Sequence, residues 1–164
     1  MTSDTQPGQG ARPVVPRGDL PDVNVWLALS APSHPHHKAA QSYWQQKELP
    51  AVWFNRVTML ALLRLLCQPK VMGSATVTLP RAAAVYGHFM NMPEVGFLNE
   101  PTRCAQLLTR MLDGTDGGTP VPRLLTDMYL AAFATAAGLR LVTFDRDFLR
   151  FKGLDVLRLS TLSH

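Results

Sequence analysis

The stretch PRLLTDMYLAAFATAAGLRLVTFD, residues 122–145, carries the clearest structural pattern in the chain. Its alanine- and leucine-rich part predicts a helix over 122–138 that ends at a glycine, and LRLVTF predicts a strand over 139–144. A helix that starts at Asp127 rises ~15–16 Å before the glycine, and the strand returns ~17–20 Å. Because the two paths nearly cancel, Asp145 is expected to lie beside Asp127.

A third candidate aspartate lies at the end of the first predicted strand. LPDV, residues 20–23, predicts a short buried strand with Asp22 at its carboxyl end. Parallel strands end at the same edge of a sheet, and ligands of open α/β sheets bind outside that edge. The sequence therefore predicts that Asp22, Asp127 and Asp145 converge.

Helices and strands alternate along the rest of the chain, which predicts an α/β fold with a central, mostly parallel sheet covered on both faces. Ser33 is the expected N-cap of the second helix. The predicted strands are 20–23, 49–54, 95–99, 139–144 and 154–159. The predicted helices are 25–30, 33–47, 56–68, 78–92, 101–114 and 122–138.

Composition indicates one globular domain. The chain has 164 residues, 46% of them hydrophobic, which suffices to bury a core. Lysine and arginine number 16 against 12 acidic residues, and the net charge of +4 suits a polyanionic partner but is common elsewhere too. Residues 1–18, rich in Pro, Gly, Ser and Thr, are predicted to be a disordered tail, and residues 19–160 the domain.

Several classes of protein are disfavoured by what the sequence lacks. No apolar run is long enough to span a membrane, and no signal-peptide pattern is present. Cys67 and Cys104 lack the spacing of a disulfide scaffold or zinc site, so we expect a cytoplasmic protein. Neither a GxxxxGK[ST] loop nor a GxSxG motif occurs, which argues against nucleotide hydrolysis and serine chemistry.

Converging carboxylates repel one another unless a cation lies between them. Oxygen ligands without His or Cys favour Mg²⁺ or Mn²⁺ over zinc, and such an ion polarises a phosphoryl oxygen and activates water. Each aspartate also has an ordinary interpretation: Asp22 and Asp127 could stabilise helix N-termini, and Asp145 could be a turn residue. The alignment of all three at one edge favours the functional interpretation.

At these residues the chain resembles the PIN domain family, in particular the VapC toxins of bacterial toxin–antitoxin operons. The resemblance covers most of residues 19–160. The fragments that carry it are LPDVNVWLAL with Asp22 and Asn24, RVTMLALLRLL, TDMYLAAFA with Asp127, and LVTFDRDF with Asp145 and Asp147.

The resemblance implies a three-layer α/β/α sandwich and an Mg²⁺- or Mn²⁺-dependent endoribonuclease that cleaves structured cellular RNA and arrests translation. It also implies a homodimer and a cognate VapB-type antitoxin. The catalytic, metal-binding acids of the family correspond to Asp22, Asp127 and Asp145. The residues expected to support them are Asn24 (orienting Asp22), Thr143 and Asp147 (a neighbour of Asp145 or its substitute).

One acid of the family pattern is missing. The family usually has glutamate in the third helix as T-x-x-E, and here Thr58 is followed three residues later by Ala61. The number of metal ions therefore stays open. An alternative is a degenerate PIN module that binds RNA or antitoxin without cleavage, and a further alternative is a PIN nuclease of RNA maturation or DNA repair.

Basic side chains near the acids are the expected contacts to RNA phosphates. Arg64, one helical turn after the missing glutamate, and Arg146, next to Asp145, are assigned this role. The three histidines of SHPHHK do not all face one way on a helix, which favours a solvated helix start over a metal site. A substrate-facing role for one of them stays open; they are His34, His36 and His37.

Overall fold

The computed structural model describes residues 17–115 and 122–160, except for the side chain of Arg123. Residues 1–16 of the predicted tail lie outside this part. The strands within it are β1 (Gly18–Pro21), β2 (Ala51–Phe54), β3 (Val95–Phe97), β4 (Arg140–Thr143) and β5 (Val156–Arg158). The helices are α1 (Val23–Ser30), α2 (His37–Gln46), α3 (Arg56–Leu66), α4 (Pro69–Met72), α5 (Leu79–Met90), α6 (Cys104–Asp113) and α7 (Pro122–Ala137), with 3-10 turns at Gly73–Ala75 and Arg146–Arg150.

The strands form one sheet in the order β3-β2-β1-β4-β5, and every pair is parallel. Since β1 is central, the residues that follow it lie between the ends of β2 and β4. Parallel neighbours need crossover connections, which the helices supply on both faces. The predicted α/β fold is confirmed.

The core lies on both faces of the sheet because alternate strand residues point to opposite sides. On β4, Leu141 packs on the side of α6 and α7, whereas Val142 packs on the opposite side with Val25 of α1. On that opposite side of the sheet, Trp26 and Phe54 stack with ring centroids 3.8 Å apart. The sheet is therefore the middle layer of an α/β/α sandwich.

Some helix boundaries differ from the sequence prediction. The second helix was expected from Ser33 but begins at His37, after a histidine turn formed by residues 31–36. In this turn the His34 N–H donates to Ala31 O (2.9 Å), and the His37 N–H donates to His34 O (2.9 Å). The expected cap at Ser33 is wrong because these turn bonds replace the first helical turn.

Two other helices are shorter than expected. The third was predicted to run to residue 68 but ends at Leu66, and Pro69 starts α4, because proline suits the first position of a helix. The sixth was predicted from residue 101 but begins at Cys104.

A buried polar network joins three elements at the amino end of β1. Asp19 is fully buried, and the Arg140 guanidinium donates to its two oxygens at 2.8 and 3.2 Å. The Tyr43 hydroxyl of α2 donates to Asp19 Oδ2 at 2.8 Å. These bonds compensate the buried carboxylate and tie β1, β4 and α2 together.

Among the described helices, none combines the length and the apolar character needed to cross a bilayer.

Candidate active site

Asp22 lies at the carboxyl end of the central strand. Its N–H donates to Val142 O (2.8 Å), so the ladder with β4 continues past β1 and brings Asp22 level with Thr143. Asp22 is also the N-cap of α1, because its Oδ1 accepts from the Val23 N–H at 2.6 Å. The side chain is 8% exposed. A buried carboxylate is thereby held at the open edge of the sheet.

The Thr143 hydroxyl connects the polar residues of this edge. It donates to Asp22 Oδ2 (3.2 Å) and accepts from Asn24 Nδ2 (3.1 Å) and from the Asp145 N–H (3.0 Å). Thr143 is fully buried, so its three partners have little competition from water. Asn24 is thus linked to Asp22 through the Thr143 hydroxyl.

The pKa of Asp22 is raised to about 6. Burial is the main cause, and the carboxylates of Asp127 and Asp145 add to it by repulsion, while the bonds from the Val23 N–H and the Thr143 hydroxyl act against it. Asp127 projects from the first half of α7 and Asp145 follows β4. Both carboxylates therefore lie within electrostatic reach of Asp22.

The donor chemistry fits a hard divalent cation. The three groups are carboxylates, and none of the described side chains that act on the pKa of Asp22 is a cation. Within residues 17–115 and 122–160, however, no three His, Cys, Asp or Glu side chains are gathered closely enough to form a metal site. In this conformation Asp22, Asp127 and Asp145 do not form such a group.

The remaining acid of the LVTFDRDF motif has a different environment. Asp147 is exposed and pairs with Arg150 at 3.2 Å, and its N–H donates to Asp145 Oδ1 at 2.8 Å. Asp147 thus fixes the orientation of Asp145 through its backbone. Arg146 is exposed beside it.

The third helix contributes no carboxylate to the site. Thr58 is buried, and its hydroxyl accepts from the Asn55 N–H (3.1 Å) while Asn55 Oδ1 accepts from the Thr58 N–H (2.9 Å), a capping box that starts α3. The threonine of the T-x-x-E pattern therefore has a structural role without the glutamate. Ala61 is half-buried, and Arg64 is exposed one turn later.

Asn55 was missed at this edge, and His36 was named only as one of three histidines with an open substrate-facing role. Asn55 follows β2, and the β1–β2 register places it level with Asp22. It is fully buried, and its Nδ2 has no hydrogen-bond partner among the described residues. His36 stacks on Phe144, which immediately precedes Asp145, with ring centroids 4.4 Å apart. In the sequence, the one feature that points to His36 is the presence of three histidines within four positions.

The three histidines are less exposed than the prediction of a solvated helix start implies. All three are only partly exposed. His37 Nδ1 lies 2.6 Å from Ala28 O, and His34 Nδ1 accepts from the His36 N–H at 3.2 Å. Burial, and then the neighbouring imidazoles, lower the pKa of His34. The histidine turn is thus part of the packed structure beside the acids.

Comparison with known proteins agrees with this architecture. Residues 20–154 match the model of the PIN domain family. Over 141 residues the chain is 33% identical to ribonuclease VapC41 of Mycobacterium tuberculosis, an alignment that covers 84% of this chain and 95% of that protein.

Solved structures of VapC proteins share the fold. The chain matches the crystal structure of VapC20 of Mycobacterium tuberculosis, described as a sarcin–ricin loop cleaving toxin, with a TM-score of 0.60 and 18% identity over 80% of this chain and 92% of that one. It matches VapBC-1 of nontypeable Haemophilus influenzae with a TM-score of 0.63 and 14% identity, over 86% and 97% of the two chains. The chain therefore belongs to the PIN domain family, as a VapC-type member.

Proposed function

We propose that this chain is the toxin of a toxin–antitoxin pair, an Mg²⁺-dependent endoribonuclease that cleaves structured cellular RNA in the cytoplasm. The observation that carries the proposal is the buried Asp22, with its pKa raised to about 6 and two further carboxylates acting on it. Ionisable groups perturbed by burial and by like charges are typical of catalytic sites. The relative at 33% identity is itself named a ribonuclease.

In this proposal Asp22, Asp127 and Asp145 hold the ion, with Mn²⁺ as a substitute for Mg²⁺. When bound, a divalent ion polarises the scissile phosphate and lowers the pKa of water. Asp22 would be a ligand of fixed orientation, since it is buried and held between the Val23 N–H and the Thr143 hydroxyl. Asp127 is partly exposed on α7 and would supply a second carboxylate to the ion.

The supporting residues keep the acids in place. The Thr143 hydroxyl holds Asp22 by its side chain and Asp145 by its backbone, and Asn24 keeps that hydroxyl oriented. Groups that orient metal ligands typically change affinity or activity 10–100-fold when removed. Arg64 and Arg146 are exposed and are assigned to RNA phosphates flanking the cleaved bond.

The proposed partners are a VapB-type antitoxin and a second copy of the chain. Support for the antitoxin comes from the similarity in fold to the toxin–antitoxin structure VapBC-1. The homodimer is an expectation of the family resemblance. Both are tested by purifying the chain with and without a co-expressed antitoxin and measuring mass by light scattering.

Cleavage of a structured RNA hairpin by the purified chain tests the proposal. We expect cleavage with Mg²⁺, none with EDTA, and recovery when Mg²⁺ or Mn²⁺ is added in excess. Asp22→Asn and Asp127→Asn should each lower the rate at least about 100-fold, in keeping with loss of a charge-stabilising ligand. Asp113→Asn, at an exposed position on α6, is the matched control and should cleave like the wild type. Cleavage that persists in EDTA contradicts the proposed chemistry.

A second candidate is a binding module without cleavage. It is favoured by Ala61 in place of the expected glutamate and by the absence of a gathered three-ligand metal site in the described residues. In the same assay this candidate predicts RNA binding in a gel shift, no cleavage at any concentration of Mg²⁺ or Mn²⁺, and no effect of Asp22→Asn.

A further inference from the structure

The histidine turn packs against the strand end that carries Asp145. The ring of His36 lies on the ring of Phe144 with centroids 4.4 Å apart and planes 17° from parallel. Phe144 lies between Thr143 and Asp145 in the chain, and the Thr143 hydroxyl donates to Asp22. A contact with the Phe144 ring therefore acts on the backbone that links Thr143, the partner of Asp22, to Asp145.

Phe144 is held mainly through its side chain. Its N–H donates to Asn24 Oδ1 across 3.4 Å, a long and weak bond. Its ring packs against the cluster around Val25 and Val142, and His36 covers the ring with a parallel face. Stacking of this kind restricts the ring, and with it the backbone that positions Asp145.

The His36 imidazole contacts Phe144 through the face of its ring and makes no hydrogen bond through Nδ1 to the part of the chain that the structure describes. His36 Nδ1 is buried and has no hydrogen-bond partner among the described residues. The His36 N–H is bonded to His34 Nδ1 at 3.2 Å, which anchors the backbone of the turn independently of the His36 ring. An aromatic ring without any polar atom should therefore replace it.

We propose that His36 is a positioning residue for Asp145, acting by stacking on Phe144. The effects on RNA cleavage and on ion binding rest on the proposed function, whereas the effect on the backbone does not. The stack restrains the backbone of residues 143–145 and thereby fixes the position from which the Asp145 side chain extends.

Four variants test the proposal: His36→Ala, His36→Gln, His36→Phe and, as an exposed histidine on α5, His88→Ala. Amide hydrogen exchange at Phe144 and Asp145 is measured in metal-free protein, Mn²⁺ affinity by titration calorimetry, and cleavage of an RNA hairpin with Mg²⁺. Loss of an aromatic pair predicts about three- to tenfold faster exchange and a comparable loss of Mn²⁺ affinity and cleavage rate in the Ala and Gln variants. The Phe variant and His88→Ala should lie within about twofold of the wild type.

The outcomes separate this inference from the proposed function. If His36→Phe behaves like His36→Ala, stacking is not the role of the residue, and the inference is overturned. Unchanged exchange in His36→Ala overturns it as well. If the wild type does not cleave RNA while the exchange differences appear, the ribonuclease proposal fails and the positioning role stands. If His36→Ala does not fold, the Gln and Phe variants carry the comparison.

Discussion

Replacing Asp22 by asparagine in the metal-free protein should stabilise the fold at neutral pH. Asparagine caps a helix about as well as aspartate, so the start of α1 is kept while the buried charge is removed. The pKa of Asp22 rises from 3.8 to about 6 on folding. Since a tenfold change in acidity corresponds to ~1.4 kcal/mol, ionising Asp22 in the fold costs about 3 kcal/mol.

The sign of the pH dependence follows from where the proton is bound. Well below pH 3.8 Asp22 is protonated in both states, and the cost is absent. Between pH 3.8 and about 6 the folded protein keeps a proton that the unfolded chain has lost, so the stability of the wild type falls as pH rises. Above pH ~6 the full cost of about 3 kcal/mol applies.

Urea unfolding with a chelator at several values between pH 4 and pH 8 measures this effect. We expect the free energy of unfolding of Asp22→Asn to rise relative to that of the wild type as pH increases, by about 2 kcal/mol between pH 4 and pH 8. Asp113→Asn, exposed on α6, should show little change. Excess Mg²⁺ at pH 8 should narrow the gap, because an ion bound to the folded state stabilises the wild type by ~2.7 kcal/mol at 100 times its dissociation constant. A difference between the two proteins that stays constant with pH would refute the reasoning.

Two further substitutions test the bonds on either side of Asp22. Thr143→Val keeps the shape of the side chain but removes the hydroxyl shared by three groups. We expect about 10–100-fold slower RNA cleavage and a loss of about 1–3 kcal/mol in the free energy of unfolding. Thr109→Val, which removes an exposed hydroxyl bonded within its own helix, should change neither quantity. Arg140→Met leaves the fully buried Asp19 without its cation and should lower the free energy of unfolding in urea by about 3–5 kcal/mol. Arg158→Met at an exposed position of the same sheet should change it by less than ~0.5 kcal/mol, and equal effects of the two would contradict the role of the buried pair.

The placement of Asp127 early in a helix and of Asp145 after the returning strand was predictable because it depends on local structure alone. A helix that ends at Gly138, with a φ of 68°, and a strand that returns along it have known rises per residue. The same holds for the position of Asp22, since parallel strands share one edge. Thr143 was expected only as a supporting residue, because its three partners are up to 121 positions away in the chain.

Other contacts could not be read from the chain because they depend on residues far apart in it. The bonds of Asp19 to Arg140 and to Tyr43 join positions 121 and 24 residues apart. Asp19 looked like an ordinary residue at the start of the domain, and only its complete burial makes the pair necessary. The start of α2 was misplaced for a similar reason, since the turn bonds of His34 and His37 outweigh the local preference of Ser33 for a cap.

The sequence by itself determined the alternation of helices and strands, the family resemblance and the choice of three candidate acids, because periodicity and chain length set where each element begins and returns. Only the tertiary structure decided the environment of those acids. Burial of Asp22 raises its pKa, the Thr143 hydroxyl joins Asp22 to Asp145, and His36 stacks on Phe144 beside Asp145. Solvent exclusion and ring contacts arise when distant segments pack, and no local pattern encodes them.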